Sequence, residues 1–379
     1  MPVLTIAFIQ LIIFAVFILA LVAQICYYLI YYRQLAYYKT KDFSGETPPA
    51  SIIICARNEE DNLVEYLPSI FEQNYPEFEV VVVNDCSFDN TADILKEMAK
   101  KHANLKIVTI NESKNHAHGK KVALMLGIKG AKYEHLLLTD ADCKPNSKDW
   151  IKNMVKHFSS ETEIVLGYSA FEKQSGFLNK LIRFDIFLSS LQFLSFAIVG
   201  KTYKGTGRNL AYKKSLFFKM KGFASHYHIE AGDDDLFVNE AATKHNSKIE
   251  VSVNSQTISR VKRTFKDWLL QKRRHSSTFK HYNGKSKFSI TMIRLSQYLF
   301  FTGFTALLIL QFEPIIILSL FMLRFSIQIL IFNKSMSLLS EKDLFFLFPI
   351  MEIVLLMIYP VIMISNIFTG KNKWKTTNG

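Results

Sequence analysis

Residues 3–32 carry no charged side chain. A run of that length spans a hydrocarbon core of roughly 30 Å as a helix, the form in which a single segment satisfies its own backbone polar groups in lipid. A membrane helix is therefore expected over about 3–32, with a linker to residue 44. The competing reading is a cleaved signal peptide, but the run lacks a basic start, is too long, and shows no small-residue cleavage site before Arg33. Arg33, Lys39 and Lys41 follow closely, and basic residues beside a membrane segment favour the cytoplasmic side. The expectation is an integral membrane protein, of a bacterial inner membrane, with its middle in the cytoplasm.

After the polar stretch "SGETPPA" the pattern changes. "SIIICARNEEDNL" is an apolar run that breaks into polar residues and then helix formers, which reads as strand, loop, helix. The alternation returns in "EFEVVVVNDCSFDNTADILKEMAKK", in "NLKIVTINES" followed by "GKKVALMLGIKGA", and in "EHLLLTDADCKPNSKDWIKNMVKHF". Four such units in a row predict a doubly wound α/β domain with a mostly parallel sheet, placed here at residues 45–285. Right-handed crossovers gather the strand C-termini at one edge, where open sheets of this kind bind ligands. That edge is expected to carry Arg57, Asn58, Glu59, Asp85, Asp140 and Asp142.

Residues 186–200 carry no charge but are too few to span a bilayer, so a helix at about 177–199 is expected to lie on the membrane surface, with a buried core helix as its rival. From residue 286 onward the chain turns apolar again, with membrane segments expected at about 292–311, 314–332 and 344–369, Pro314 opening the second. Charge bias then conflicts with four crossings: an external amino terminus would leave the basic tail "KNKWKTTNG" external too. One C-terminal segment is therefore expected to be re-entrant or interfacial.

The formal net charge of +13 raises nucleic acid as a partner, yet the basic residues are spread along the soluble part and beside apolar segments. Anionic lipid headgroups are the partner this distribution favours. Cys26, Cys55, Cys86 and Cys143 show no metal-type spacing and read as reduced thiols.

Chemistry is concentrated in "LLLTDADC". Residues two apart on an extended chain point the same way, so Asp140 and Asp142 bring two carboxylates together at a strand end. A magnesium or manganese ion resolves their repulsion, taking one or two carboxylates and leaving positions for water and phosphate oxygens. A plain turn is the competing reading, since Asp is common where strands end.

"SIIICARNEE", "VVVNDCSFDNT", "GKKVALMLGI", "LLLTDADC", "GTGRNLAYKKSLFFKMKGF", "GDDDLFVN" and "QKRRH" follow one another in the order seen in membrane-bound family 2 glycosyltransferases, which the chain resembles from about residue 50 to 282. The resemblance implies a GT-A fold and an inverting transfer of a sugar, hexosyl or N-acetylhexosaminyl, from a nucleotide-sugar. It places Ala56 and Glu59 near the donor base, Asp85 on uracil or ribose, Lys120 near the nucleotide, Asp140 on ribose or metal, and Asp142 on the metal. Read from the residues alone, Lys120 is equally a solvated lysine at a helix start.

Inversion also needs a general base. In the family the second of two adjacent acidic residues takes that role; one alignment assigns it to Asp234, another to Asp233. The same acidic cluster suits a helix N-terminus, and close like charges raise a carboxyl pKa. In "QKRRH", Gln271 and Arg274 match the family's pattern for the acceptor or diphosphate side, while His275 replaces a tryptophan. Arg273 and Arg274 also read as a basic helix face near the membrane. Gly207 and Asn209 resemble an acceptor-side segment, against the plain reading of a turn before a strand.

The expected activity is a metal-dependent transfer from a UDP-type sugar to a lipid-linked or membrane-proximal acceptor. The alternatives are a processive polysaccharide synthase with a polymer-export partner, a non-catalytic nucleotide-sugar-binding scaffold, and a transporter. The last leaves the strand-helix region without a purpose.

Overall fold

The structure is a computed structural model and describes residues 2–40, 47–111 and 119–368, without the side chains of residues 2–5 and 367–368. Lys41 and the basic tail lie outside the described residues. Helix α1 (Pro2–Cys26) runs on through a π-helical turn, Tyr27–Tyr32, into α2 (Arg33–Ala36).

The soluble domain then alternates as its hydrophobic pattern predicts: β1 (Ala50–Ala56), α3 (Glu60–Phe71), β2 (Phe78–Asp85), α4 (Thr91–Lys101), β3 (Leu105–Ile110), α5 (Lys120–Gly130) and β4 (His135–Leu138). Next come β5 (Cys143–Pro145), α6 (Trp150–Val155), β6 (Ile164–Gly167), β7 (Ser169–Phe171), α7 (Phe177–Ile198), β8 (Leu210–Lys213), α8 (Lys214–Lys219), α9 (Asp235–Ala241), β9 (Ser247–Glu250), β10 (Thr257–Ser259) and α10 (Phe265–Ser276). Strands β1 to β4 are mutually parallel, in the order 3-2-1-4, because each returns through a helix. Beyond β4 the sheet continues through β8, β6 and β9, with β8 antiparallel to both β4 and β6. The central sheet is thus mixed at one side, and β5, β10 and β7 form a second, three-stranded sheet.

Helix α5 approaches the sheet closely at Gly127, where a Cβ would lie 2.8 Å from Ile53 and 2.9 Å from Val83. That contact fixes the height of Lys120, about two turns earlier in the helix, at the sheet's C-terminal rim.

Three long helices complete the chain: α11 (Gly284–Ile309), α12 (Pro314–Leu338) and α13 (Phe348–Phe368). Helix α11 starts earlier than the apolar run suggests because Asn283 caps it, its Oδ1 accepting from the Ser286 N–H at 2.9 Å. Pro314 opens α12 as expected, after Glu313 in the left-handed region (φ 41°). Helix α1 packs along α11, with Phe17 stacked on Phe300 at 5.1 Å. Among the described residues five helices are long and apolar enough to cross a membrane, and four of these are largely exposed along the apolar stretch.

The fifth, α7, corrects an expectation. The helix exists where the sequence places it, but 78% of its apolar stretch is buried within the protein rather than lying on a surface. Its Arg183 is itself buried and pairs with Glu341 and Asp343 in the connection before α13, while Tyr168 donates to Glu341 at 3.0 Å. The core helix, the rival reading, describes this packing: its uncharged stretch faces protein instead of lipid.

Candidate active site

Strands β1 and β2 end level, Ala56 pairing with Asn84, so their following loops meet at one rim. Each turns through a left-handed residue, Asn58 (φ 53°) and Cys86 (φ 51°). The loops clamp together: Phe88 N–H donates to Asn58 Oδ1 (2.9 Å), Glu59 N–H to Thr91 Oγ1 (3.0 Å) and Asn90 N–H to Glu60 Oε2 (3.0 Å). Ala56 and Asp85 are fully buried at the two strand ends, and the Glu59 carboxylate accepts from Asn62 Nδ2 at 2.5 Å. The residues expected around the donor base thus share one rigid corner.

Asp140 and Asp142 follow β4 on the same rim. Lys120, at the first turn of α5, donates to Asp140 Oδ1 at 2.8 Å and lies 3.1 Å from Asp233 Oδ2. It is no solvated surface lysine. Burial disfavours its charge, but Asp140, Asp233 and Asp234 outweigh that and hold its pKa well above the usual value. Burial likewise pushes Asp140 up, and Lys120, Arg208 and Arg274 overcome it, so its carboxyl stays below the ordinary range. Asp142 behaves oppositely: burial, then Asp140 and Glu59, raise it.

That crowding is a test of the metal expectation. Ligand atoms of Asp140, Asp142 and Cys143 lie within 4.8 Å of one another. The Cys143 thiol lies 2.8 Å from Ser259 Oγ, and burial first, with Asp142 second, holds its pKa well above the usual thiol value. A protonated sulfur does not suit a hard cation, so the usable donors are the two carboxylates, a set that fits magnesium or manganese.

Asp233, Asp234 and Asp235 occupy three different environments. Asp233 is buried beside Lys120. Asp235 is buried among structural donors, Oδ2 accepting from Thr278 and, at 2.7 Å, from Tyr282. Asp234 caps α9, accepting from the Asp235 N–H at 2.7 Å and the Gly207 N–H at 2.8 Å. Burial, then Asp233 and Asp235, push its pKa up to about 7. The triplet starts a helix, as one reading has it, and the like charges crowded there raise one of its carboxyls towards neutral pH. Gly207 fits closely here, since a Cβ would lie 3.5 Å from Lys120 Nζ and 3.7 Å from Asp233 Oδ2.

Asn209 corrects a second expectation. Fully buried, it accepts from the Trp150 indole N–H at 3.0 Å and donates to the carbonyls of Tyr168 and Ser255, both at 2.8 Å. Its amide is used up inside the domain, so it faces no acceptor. "GTGRN" leads into strand β8, as its plain reading has it.

Arg208 is the site residue that the motif comparison passes over. A turn closed by the Asn209 N–H on the Thr206 carbonyl at 3.0 Å precedes β8 and leaves Asn209 buried and Arg208 half-buried. Its guanidinium covers the Phe171 ring at 4.4 Å and acts on both Asp140 and Asp142.

Gln271, Arg274 and His275 share α10, with Arg274 close enough to lower the Asp140 pKa. The His275 side chain keeps contact with solvent, yet the surrounding bulk of the protein, then Arg274, Lys204 and Lys272, hold its pKa well below the usual imidazole value. Lys204 is a further cation nearby, donating to Ser189 Oγ at 3.2 Å, and burial, then Lys272, lower its pKa against the opposing pull of Asp235 and Asp234.

Residues 51–224 match the family model described as glycosyl transferase family 2. Over 92 residues the chain is 38% identical to a poly-beta-1,6-N-acetyl-D-glucosamine synthase of Staphylococcus epidermidis, covering 24% of this chain and 21% of that one. Over 112 residues it is 34% identical to the dolichyl N-acetyl-alpha-D-glucosaminyl phosphate 3-beta-D-2,3-diacetamido-2,3-dideoxy-beta-D-glucuronosyltransferase of Methanococcus voltae, covering 28% of this chain and 33% of that one. The chain thus spans a fifth to a third of the length of these relatives. Among solved structures, the mannosyltransferase PcManGT from Pyrobaculum calidifontis, in complex with GDP-Man and Mn2+, superposes with a TM-score of 0.56 at 18% identity, over 92% of this chain and 98% of that one. The fold is GT-A, with apolar helices attached. Within the soluble region, residues 51–224 are thus similar to family 2 glycosyltransferases, and the superposition shows the shared fold.

Proposed function

We propose that the protein is an inverting glycosyltransferase that moves a sugar from a nucleotide-sugar, of the UDP type, to a lipid-linked or membrane-proximal acceptor at the cytoplasmic face. The observation that carries this is Lys120, whose one ammonium joins Asp140 of the Asp-x-Asp pair to Asp233 of the acidic triplet. Two motifs separated by more than ninety residues of chain thereby form one site.

Asp142 and Asp140 would hold a magnesium or manganese ion, which as a Lewis acid would stabilise charge on the leaving diphosphate. Lys120, Arg208 and Arg274 supply further positive charge on the same side. Asp234 accepts the proton of the acceptor hydroxyl as its oxygen attacks the anomeric carbon and the bond to the diphosphate breaks. Its pKa of about 7 suits that task, and the Gly207 and Asp235 N–H groups fix its orientation. Ala56, Glu59 and Asp85 form the corner that receives the base and ribose.

The names of the relatives support an acceptor that is a growing glycan or a lipid-linked sugar. The positive residues Arg33 and Lys39 after the first apolar helix support the cytoplasmic orientation. The test incubates membranes holding the full chain with a panel of labelled nucleotide-sugars and a divalent ion, then weighs the labelled product. A single-sugar lipid product bears the proposal out, a polymer makes the protein a polysaccharide synthase, and donor binding without turnover makes it a scaffold.

A further inference from the structure

Between α1, α7, α11 and α13, on the membrane side of the molecule, lies a cavity of about 50 Å³. It is lined on its polar side by Gln24, Tyr28, Tyr32, Gln192, Arg294 and Glu352. Two of these carry an unspent donor: Gln24 is 5% exposed and Gln192 is 7% exposed, and neither Nε2 has a hydrogen-bond partner. A buried amide N–H left unpaired is costly, so such groups usually mark a missing partner.

The charges point the same way. Arg324 donates to Glu352 at 2.8 Å and Lys272 lies 2.7 Å from Asp185, so these four neutralise one another. Arg294 covers the Tyr359 ring at 4.1 Å, and among the described residues no carboxylate lies within 4.0 Å of it. Tyr359 and the charge of Asp185 act on Arg294, but Asp185 is already paired with Lys272, so one positive charge stays in excess among apolar helices and calls for an anion. The cavity also lies against the π-helical turn Tyr27–Tyr32, a departure from regular helix found often at functional sites.

We infer that this cavity seats the anionic, oxygen-rich headgroup of a membrane lipid, with Arg294 as its counter-charge and the amides of Gln24 and Gln192 as its hydrogen-bond donors. Size limits the occupant, since about 50 Å³ takes a few waters or one small oxygen-rich group and excludes a sugar chain. A polar track leads from it towards the catalytic rim. Arg294 stacks on Tyr359, the Tyr359 hydroxyl donates to Asp185 at 2.6 Å, and Asp185 holds Lys272, which lies on α10 beside Arg273 and Arg274. As the membrane-side station for an amphiphilic acceptor, a role that rests on the transferase reading, the cavity would hold the lipid before its sugar or hydroxyl reaches Asp234.

The full-length protein in detergent is titrated with phosphatidylglycerol, with phosphatidylcholine and with inorganic phosphate, and the melting temperature is followed. Phosphatidylglycerol is expected to raise it saturably and the other two are not. Gln192→Leu and Arg294→Gln should each weaken the apparent affinity roughly tenfold or more, the loss of one hydrogen bond to a charged group. Without lipid, Gln192→Leu should melt no lower than the parent, because it removes a donor that has no partner. A marked fall would assign the amide to structure and overturn the inference. An equal response to phosphatidylcholine, an equal response to free phosphate, or unchanged titrations in Gln192→Leu would each overturn it too. Donor binding measured on the same samples separates the two proposals: lost lipid response with intact donor binding sinks only this one.

Discussion

At the sheet rim, Asp140 and Asp233 share the ammonium of Lys120, with Asp142 and Asp234 crowded beside them; among the membrane helices, Glu352 faces Arg324 within a closed set of partners. Both regions bury carboxylates. At the rim the negative charges outnumber their near cations, and the ionised form of two carboxyls is disfavoured, the pKa values of Asp142 and Asp234 both being raised. In the bundle Glu352 accepts from Arg324 at 2.8 Å, from Gln297 at 2.9 Å and from Gln328 at 2.9 Å, and Arg324 also reaches Gln24 at 2.9 Å. An unbalanced cluster is ready for a cation or a proton, whereas a balanced one holds helices together. The same residue types therefore serve chemistry in one place and architecture in the other.

The comparison can be broken most decisively at Asp142. Asp142→Asn is expected to reduce transfer by roughly 10³-fold or more, the loss of a metal's several kcal/mol of charge stabilisation, with no fall in melting temperature because a repelled carboxylate is removed. Normal turnover in that variant would remove the metal assignment. Asp234→Asn should lower kcat by roughly 10²- to 10⁴-fold with donor affinity nearly unchanged. Asp233→Asn, which loosens Lys120 instead, should shift donor affinity more than kcat. Equal mild losses in both variants would refute the base.

In the bundle the effect should fall on stability. Glu352→Ala leaves Arg324 buried without its carboxylate and is expected to cost about 3–5 kcal/mol, read as a lowered melting temperature, while the donor affinity of the surviving folded protein stays at the parent value. Asn209→Ala strands the Trp150 indole N–H and two carbonyls, and a loss of about 1–3 kcal/mol should follow without a change in donor affinity. A specific loss of acceptor binding there would restore Asn209 to the acceptor side.

The gentlest probe is pH. With Asp234 at about 7, the base form declines tenfold per pH unit below that value, and kcat should follow. Stability should run the other way, since a carboxyl raised in the folded state binds its proton more tightly there than in the unfolded chain. Its contribution is greatest below about pH 4 and is lost as pH rises towards 7. Asp234→Asn has no such titration, so its melting temperature should lack that slope; an identical slope in parent and variant would place the raised pKa elsewhere.

Much of this was legible in the chain. Four strand-helix units gave β1 to β4 and their helices, and the rule that ligands meet parallel strands at their C-terminal ends put Asp85, Asp140 and Asp142 on one rim. The antiparallel β8 was not legible, because its four residues, "LAYK", carry too little periodicity to declare a direction. Nor was the place of α7, whose apolar residues satisfy a lipid surface and a protein interior equally well until the Arg183 pairs with Glu341 and Asp343 fix it inside. That Asn209 turns inward while Arg208 acts on Asp140 and Asp142 was not legible for a related reason: adjacent polar residues differ only in which way the backbone turns them.

By itself the order of residues determined the sheet, the apolar helices and the acidic motifs, since hydrophobic period and turn chemistry are local properties. Only the tertiary structure decided that Lys120 joins two of those motifs, that Asp234 carries a raised pKa while Asp235 is spent on Thr278 and Tyr282, and that Gln24 and Gln192 face one cavity. Charge coupling and desolvation depend on distances through space, which no spacing along the chain specifies.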